Sequence, residues 1–119
     1  MKKLIYCFLF CVASVLKMSA QTGQFISADL FSNSLITDLC QDKYGNLWIA
    51  TDYGLNKYDG YKFTSYFHHG SDSASLCHNA VVNLYCDTDG NLWVGTNRGL
   101  DRYDNRTDAF VHYDFPNGF

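Results

Sequence analysis

From residue 35 onward, short apolar runs alternate with clusters of Asp, Gly and Asn. Trp48-Ile49-Ala50-Thr51 and Trp93-Val94-Gly95-Thr96 are short, apolar and partly β-branched, so they read as strands. Period-2 alternation puts Leu47 and Ile49 on one face and Trp48 and Ala50 on the other. Both faces are apolar, which suits a strand inside a layered stack. Gly45-Asn46 and Gly90-Asn91 precede these strands, with Asp42 and Asp87 three residues before each Gly. Asp caps nearby amides and Gly accepts a positive φ, so each group predicts a tight turn. Tyr53-Gly54-Leu55 and Arg98-Gly99-Leu100 predict the next turns. Leu55 to Asp59 and Leu100 to Asp104 predict the strands that follow. Asp59-Gly60 is a hairpin signal, and Asp104-Asn105 is a weaker one followed by a two-residue insertion. Phe63 to Tyr66 and Phe110 to Tyr113 predict outer strands; Leu35 to Cys40 and Val81 to Cys86 predict inner ones.

The pattern occurs twice. At a fixed offset of 45, Leu39, Asp42, Gly45, Asn46, Leu47, Trp48, Thr51, Gly54, Leu55, Tyr58 and Asp59 recur as the same residue type. Four antiparallel strands at such a period describe a propeller blade. The expected fold is all-β: two four-stranded antiparallel blades over residues 35–66 and 81–113, joined by a loop over 67–80. The repeated scaffold residues are Asp42, Gly45, Trp48, Gly54 and Tyr58, matched by Asp87, Gly90, Trp93, Gly99 and Tyr103. Trp48 and Trp93 are expected to pack between blades. Burying one indole contributes at most about 4–6 kcal/mol.

The motif D-x-x-G-N-L-W-[IV]-[GA]-T-x-x-G-L-[ND]-[KR]-Y-D resembles the two-component regulator propeller repeat over roughly residues 30–113. The resemblance implies the periplasmic sensor region of a hybrid two-component histidine kinase, of the kind found in polysaccharide-degrading gut bacteria. It implies further blades, an oligosaccharide ligand and a homodimer in the complete receptor, with kinase activity in domains outside this segment. Ala50 departs from the usual Gly and places a methyl group where blades approach closely.

The start of the chain adds export. Lys2 and Lys3, an apolar run from Leu4 to Leu16, and Ser19-Ala20 read as a signal peptide over residues 1–20; an uncleaved anchor is the alternative. Residues 21–34 are expected to hold an outer strand near Gln24 to Ile26 and a loop. The segment 114–119 reads as a truncated loop. Two blades do not close a ring, so the chain reads as an N-terminal fragment, membrane-anchored only if the complete sensor is made. The isolated mature chain is expected to be marginal, aggregated or oligomeric.

All twelve acidic residues are Asp, a turn former, and none is Glu, a helix former. Without Lys2, Lys3 and Lys17, Lys plus Arg falls from 9 to 6 against 12 Asp, a net charge of −6. Such a balance argues against nucleic acid partners. Cys40 and Cys86 read as small buried apolar residues, with a Cys77–Cys86 disulfide as an alternative.

Candidate chemistry is sparse. His68, His69 and His78 share one polar loop without metal-ligand spacing. Asp87-Thr88-Asp89-Gly90-Asn91 resembles the start of a calcium loop but lacks the closing Glu. No cofactor, metal site or catalytic residue is expected, although a fragment of a secreted propeller enzyme acting on glycans is the alternative function. Ligand contact belongs to loops. In a propeller, the loops between blades and those between second and third strands share one end. Asp52, Tyr53, Asn97 and Arg98 are therefore the expected ligand-binding residues; they differ between the repeats where the scaffold does not.

Overall fold

The computed structural model describes residues 35–115. The expected leader, the strand near Gln24 and most of the final loop lie outside the described residues. Among the described residues there are eight strands: β1 (Ile36–Gln41), β2 (Leu47–Thr51), β3 (Gly54–Tyr58), β4 (Phe63–Tyr66), β5 (Val81–Cys86), β6 (Leu92–Thr96), β7 (Leu100–Asp104) and β8 (Ala109–Tyr113). They form two separate four-stranded sheets, β1-β2-β3-β4 and β5-β6-β7-β8, antiparallel throughout. Each sheet is one blade, and strand ends agree with the sequence pattern to within two residues. Equivalent bulges interrupt the inner pairs, between Ile36 and Asp38 and between Val81 and Asn83.

The Asp of each repeat holds its turn together. Asp42 Oδ1 accepts the amides of Tyr44 and Asn46, both at 2.9 Å. Its Oδ2 accepts Asn46 Nδ2 at 2.9 Å and the indole Nε1 of Trp48 at 2.8 Å. Asp87 does the same for Asn91 and for Trp93, whose Nε1 donates at 2.9 Å. One carboxylate thus satisfies turn amides and aims the tryptophan. Gly45 and Gly90 both have φ of +88°, where an L side chain would be strained. The acidic turn at Asp87 is accounted for by these donors.

Blade 2 packs on the Trp48 face of blade 1. Trp48, Ala50 and Leu55 are fully buried. The Trp48 ring meets Tyr103 edge-on at 4.7 Å and Tyr66 at 5.8 Å. Several contacts between blades link residues 46 apart, one more than the repeat. Leu84 N donates to Asp38 Oδ2, Lys43 Nζ to the Asp89 carbonyl, and Lys57 Nζ to Tyr103 Oη. The extra residue follows from the pleat. The face of blade 1 that meets blade 2 carries Trp48, whereas the facing side of blade 2 carries Leu92 and Tyr103, one residue out of phase with Trp93.

This phase corrects the cysteine reading. Cys40 and Cys86 do not sit apart as apolar fillers, nor does Cys77 pair with Cys86. Cys40 and Cys86 form a disulfide across the two inner strands, 46 residues apart with Cα atoms 6.6 Å apart. Among the described residues, Cys77 is the free thiol.

Ala50 is accommodated by the same stacking. Its cross-strand partner Asp38 turns toward blade 2, bonding Leu84 N at 2.8 Å. In blade 2 the equivalent Asn83 folds over Gly95, where a Cβ would run into the Asn83 carboxamide oxygen. The loop 67–80 is more ordered by its chemistry than its polar composition suggests. Leu76 is fully buried within it, Ser75 Oγ donates to the carbonyls of His69 and Asp72, and Phe110 N donates to Ala74.

Candidate functional site

The two turns predicted to carry ligand contacts are both present and both exposed. Thr51 and Thr96 shape them in the same way. Thr51 Oγ1 donates to Gly54 O at 2.9 Å and accepts Tyr53 N at 3.1 Å; Thr96 Oγ1 donates to Gly99 O at 3.0 Å and accepts Arg98 N at 3.2 Å. The loop 67–80 ties the turns together. Asn79 O accepts Gly54 N at 2.6 Å, and Ala80 O accepts Asn97 N at 3.1 Å. Asp52, Tyr53, Asn97 and Arg98 are thereby gathered at one end of the two blades, with the loop between them. Asp52 also closes on Leu35, whose N donates to Oδ1 at 2.8 Å. Tyr53 is 62% exposed, and its ring leans on Phe67 at 5.8 Å. The loop histidines serve the loop itself: His68 Nδ1 bonds the Leu76 carbonyl at 2.7 Å, and His78 Nδ1 accepts Ala80 N at 3.1 Å.

Away from that end, a polar cluster spans the blades that sequence reasoning did not find. Asp108 Oδ1 accepts both Tyr66 Oη at 2.7 Å and Tyr103 Oη at 2.6 Å. Lys57 Nζ lies 5.3 Å from the Tyr103 centroid, 5.5 Å from Trp48 and 5.8 Å from Tyr66. Burial, then the hydrogen bond to Tyr103, pushes the Tyr66 phenol far above its ordinary range, so it remains a neutral donor. An ammonium on three aromatic faces is a packing device. Its sequence signal was weak, because Asp108 falls in the insertion and has no counterpart in the first repeat.

A second missed cluster lies on blade 2. Asp101 of β7 and His112 of β8 are cross-strand partners. Asp101 is fully buried. Its Oδ1 accepts His112 Nδ1 at 2.5 Å and its Oδ2 accepts the Cys77 amide at 2.8 Å. Cys77 Sγ lies 3.0 Å from Thr96 Oγ1. Burial pushes the Cys77 thiol up to about 11, so it is no ready thiolate nucleophile. Hydrogen bonding to Asp101 raises His112 above its usual value. In blade 1 the same strand positions hold Asn56 and Ser65, bonded at 2.7 Å. The cluster was hidden because Cys77 lies in the loop and the Asp-His pairing needs the strand register.

The family model for the two component regulator propeller matches residues 29–53 and 75–98, one stretch for each blade. Over 66 residues the chain is 38% identical to Histidine kinase P4 of Formosa agariphila, covering 51% of this chain and 5% of that protein. Among solved structures, it resembles the extracellular domain of the hybrid two component system BT3049 from B. thetaiotaomicron, with 36% identity and a TM-score of 0.62, covering 71% of this chain and 12% of that one. The corresponding domain of BT4673 gives 29% identity and a TM-score of 0.57, covering 71% and 11%. The chain thus spans a small part of each relative. One of these relatives is a histidine kinase and the others are extracellular domains of two component systems, which does not favour the glycan-enzyme alternative.

Proposed function

We propose, for a chain carrying two copies of the two-component regulator propeller repeat, a ligand-sensing role without catalysis of its own. The segment works on the periplasmic side as part of a larger set of blades, and its ligand is a glycan fragment. Export follows from the leader-like residues 1–20, and the glycan class from the family resemblance. The observation that carries the reading is the tie between both repeat turns and loop 67–80. It brings non-repeated side chains to one end of a repeated frame, the arrangement a recognition surface needs. Tyr53 offers a ring for stacking on a sugar, and Arg98 offers a fork for an acidic group.

Signalling requires that the ligand bind one arrangement of the receptor better than another. In a receptor dimer, binding at this end would change how the propellers meet, and a kinase across the membrane would respond. Calorimetry of the complete ectodomain against a panel of oligosaccharides tests the reading, followed by Tyr53→Ala and Arg98→Ala. Binding weakened by either change supports it. Binding that neither change affects removes these residues from the site. Cleavage of the glycans by the same preparation restores the enzyme alternative.

A further inference from the structure

The Cys77, Asp101 and His112 cluster is more than a hydrogen-bonded corner, and the geometry points to a zinc site that ties loop 67–80 to the outer half of blade 2. One ligand atom from each of the three residues lies within 4.8 Å of the others, the one such grouping among the described residues. Thiolate, carboxylate and imidazole are the ligand types that zinc takes, with bonds near 2.0–2.3 Å. In a tetrahedral site those bonds place ligand atoms about 3.3–3.8 Å apart. Opening the His112–Asp101 pair by about 1 Å therefore admits the ion. His112 is the partner that shifts, since its side chain is 31% exposed while that of Asp101 is 0%, and the shift draws its ring from the Ser73 backbone.

The supporting groups are already in place. The Cys77 amide is anchored on Asp101 and orients its carboxylate, as outer partners of a ligand do; Thr96 Oγ1, 3.0 Å from the sulfur, serves a thiolate once its hydroxyl turns from the Gly99 carbonyl. The disulfide leaves Cys77 as the unpaired thiol of the described residues. Blade 1 meets the same cross-strand requirement with Asn56 and Ser65, so the scaffold does not demand Asp and His at these positions. A softer ion than calcium or magnesium fits a set that includes sulfur.

The test is cobalt titration of the full chain without reductant, so that Cys40 and Cys86 stay paired. We expect one ion per chain, a thiolate-to-cobalt charge-transfer band and the visible bands of a tetrahedral ion, with zinc displacing cobalt. Cys77→Ser should abolish the charge-transfer band; Cys7 and Cys11 remain in that variant, so the loss assigns the sulfur. The double change Asp101→Asn with His112→Ser installs across these strands the pair that blade 1 already uses. It should weaken cobalt binding by at least about 100-fold while the circular dichroism spectrum stays the same. His69→Ala, at the exposed histidine of the loop, should leave binding intact. The proposal is overturned by a folded wild-type chain without the charge-transfer band. It is equally overturned by binding that survives Cys77→Ser, or by binding that disappears with His69→Ala.

Discussion

Two rows of side chains, equivalent in register, have different fates. In blade 1 the row runs Cys40, Trp48, Lys57, Thr64; in blade 2 it runs Tyr85, Trp93, Arg102, Val111. The first row is covered by the neighbouring blade: Cys40 is bonded to Cys86, Trp48 has no exposed surface, and Lys57 is held over three rings. The second row faces outward. Tyr85 is 64% exposed, and an open apolar groove of about 380 Å³ runs along Asn83, Tyr85, Trp93 and Leu100. The motif around each tryptophan is the same, down to the carboxylate on the indole nitrogen. What differs is the neighbour. The repeat encodes a turn and an aimed indole, and stacking decides how much that indole contributes.

The largest test of this contrast is the tryptophan pair. Trp48→Ala should cost about 3–5 kcal/mol in denaturant unfolding of this chain, because the whole side chain is buried. Trp93→Ala should cost about 1–2 kcal/mol less here, and the gap should close when a further blade covers it. Equal losses in this chain would mean that stacking is not what separates the rows. Next comes the covalent link. Cys40→Ala with Cys86→Ala should cost about 2–4 kcal/mol, read as a lower midpoint in the same experiment. No change would remove the link as a source of blade 1's greater security.

The glycines after the second strands give a smaller, sharper comparison. Gly54 has φ of +106°, and a Cβ there would lie 2.8–2.9 Å from the Phe67 ring and the Tyr66 carbonyl. Gly99 has no such φ, and its Cβ would meet Cys77 Sγ at an ordinary 3.7 Å. Gly54→Ala should lower stability by about 1–3 kcal/mol and Gly99→Ala should be nearly neutral. Thermal melts of the two variants that matched would break the asymmetry. The smallest effect concerns acid. Bonds from Trp93 and then from Asn91 hold the Asp87 carboxyl at about 2, below its model-peptide value of 3.8. Its contribution is complete above 3.8 and is lost as pH falls through about 2. Asp87→Asn should flatten the acid end of a stability–pH curve over that window; an unchanged slope would remove the cage as its source.

Much of this was legible beforehand. Strands, turns and the two-blade organisation followed from Gly45-Asn46, Gly90-Asn91 and the offset of 45, since these are local choices. The ends carrying Asp52, Tyr53, Asn97 and Arg98 followed from topology. The misses were relations between strands or blades. Cys40 and Cys86 are out of step in the repeat and in step in the stack, so reading equivalent positions concealed them. Asp101 and His112 pair through hairpin register, and Cys77 joins them from a loop whose buried Leu76 no composition argument reveals.

The link between the inner strands also has a mechanical consequence. When the chain is pulled from its two ends, tension entering at Cys40 crosses the bond to Cys86 and bypasses the residues between them. Strands β2, β3 and β4, loop 67–80 and nearly all of β5 therefore lie outside the covalent load path, and about 150 Å of extensible chain stays hidden behind a single covalent step. Under force, the segment between the two cysteines is shielded and the strands outside it are loaded.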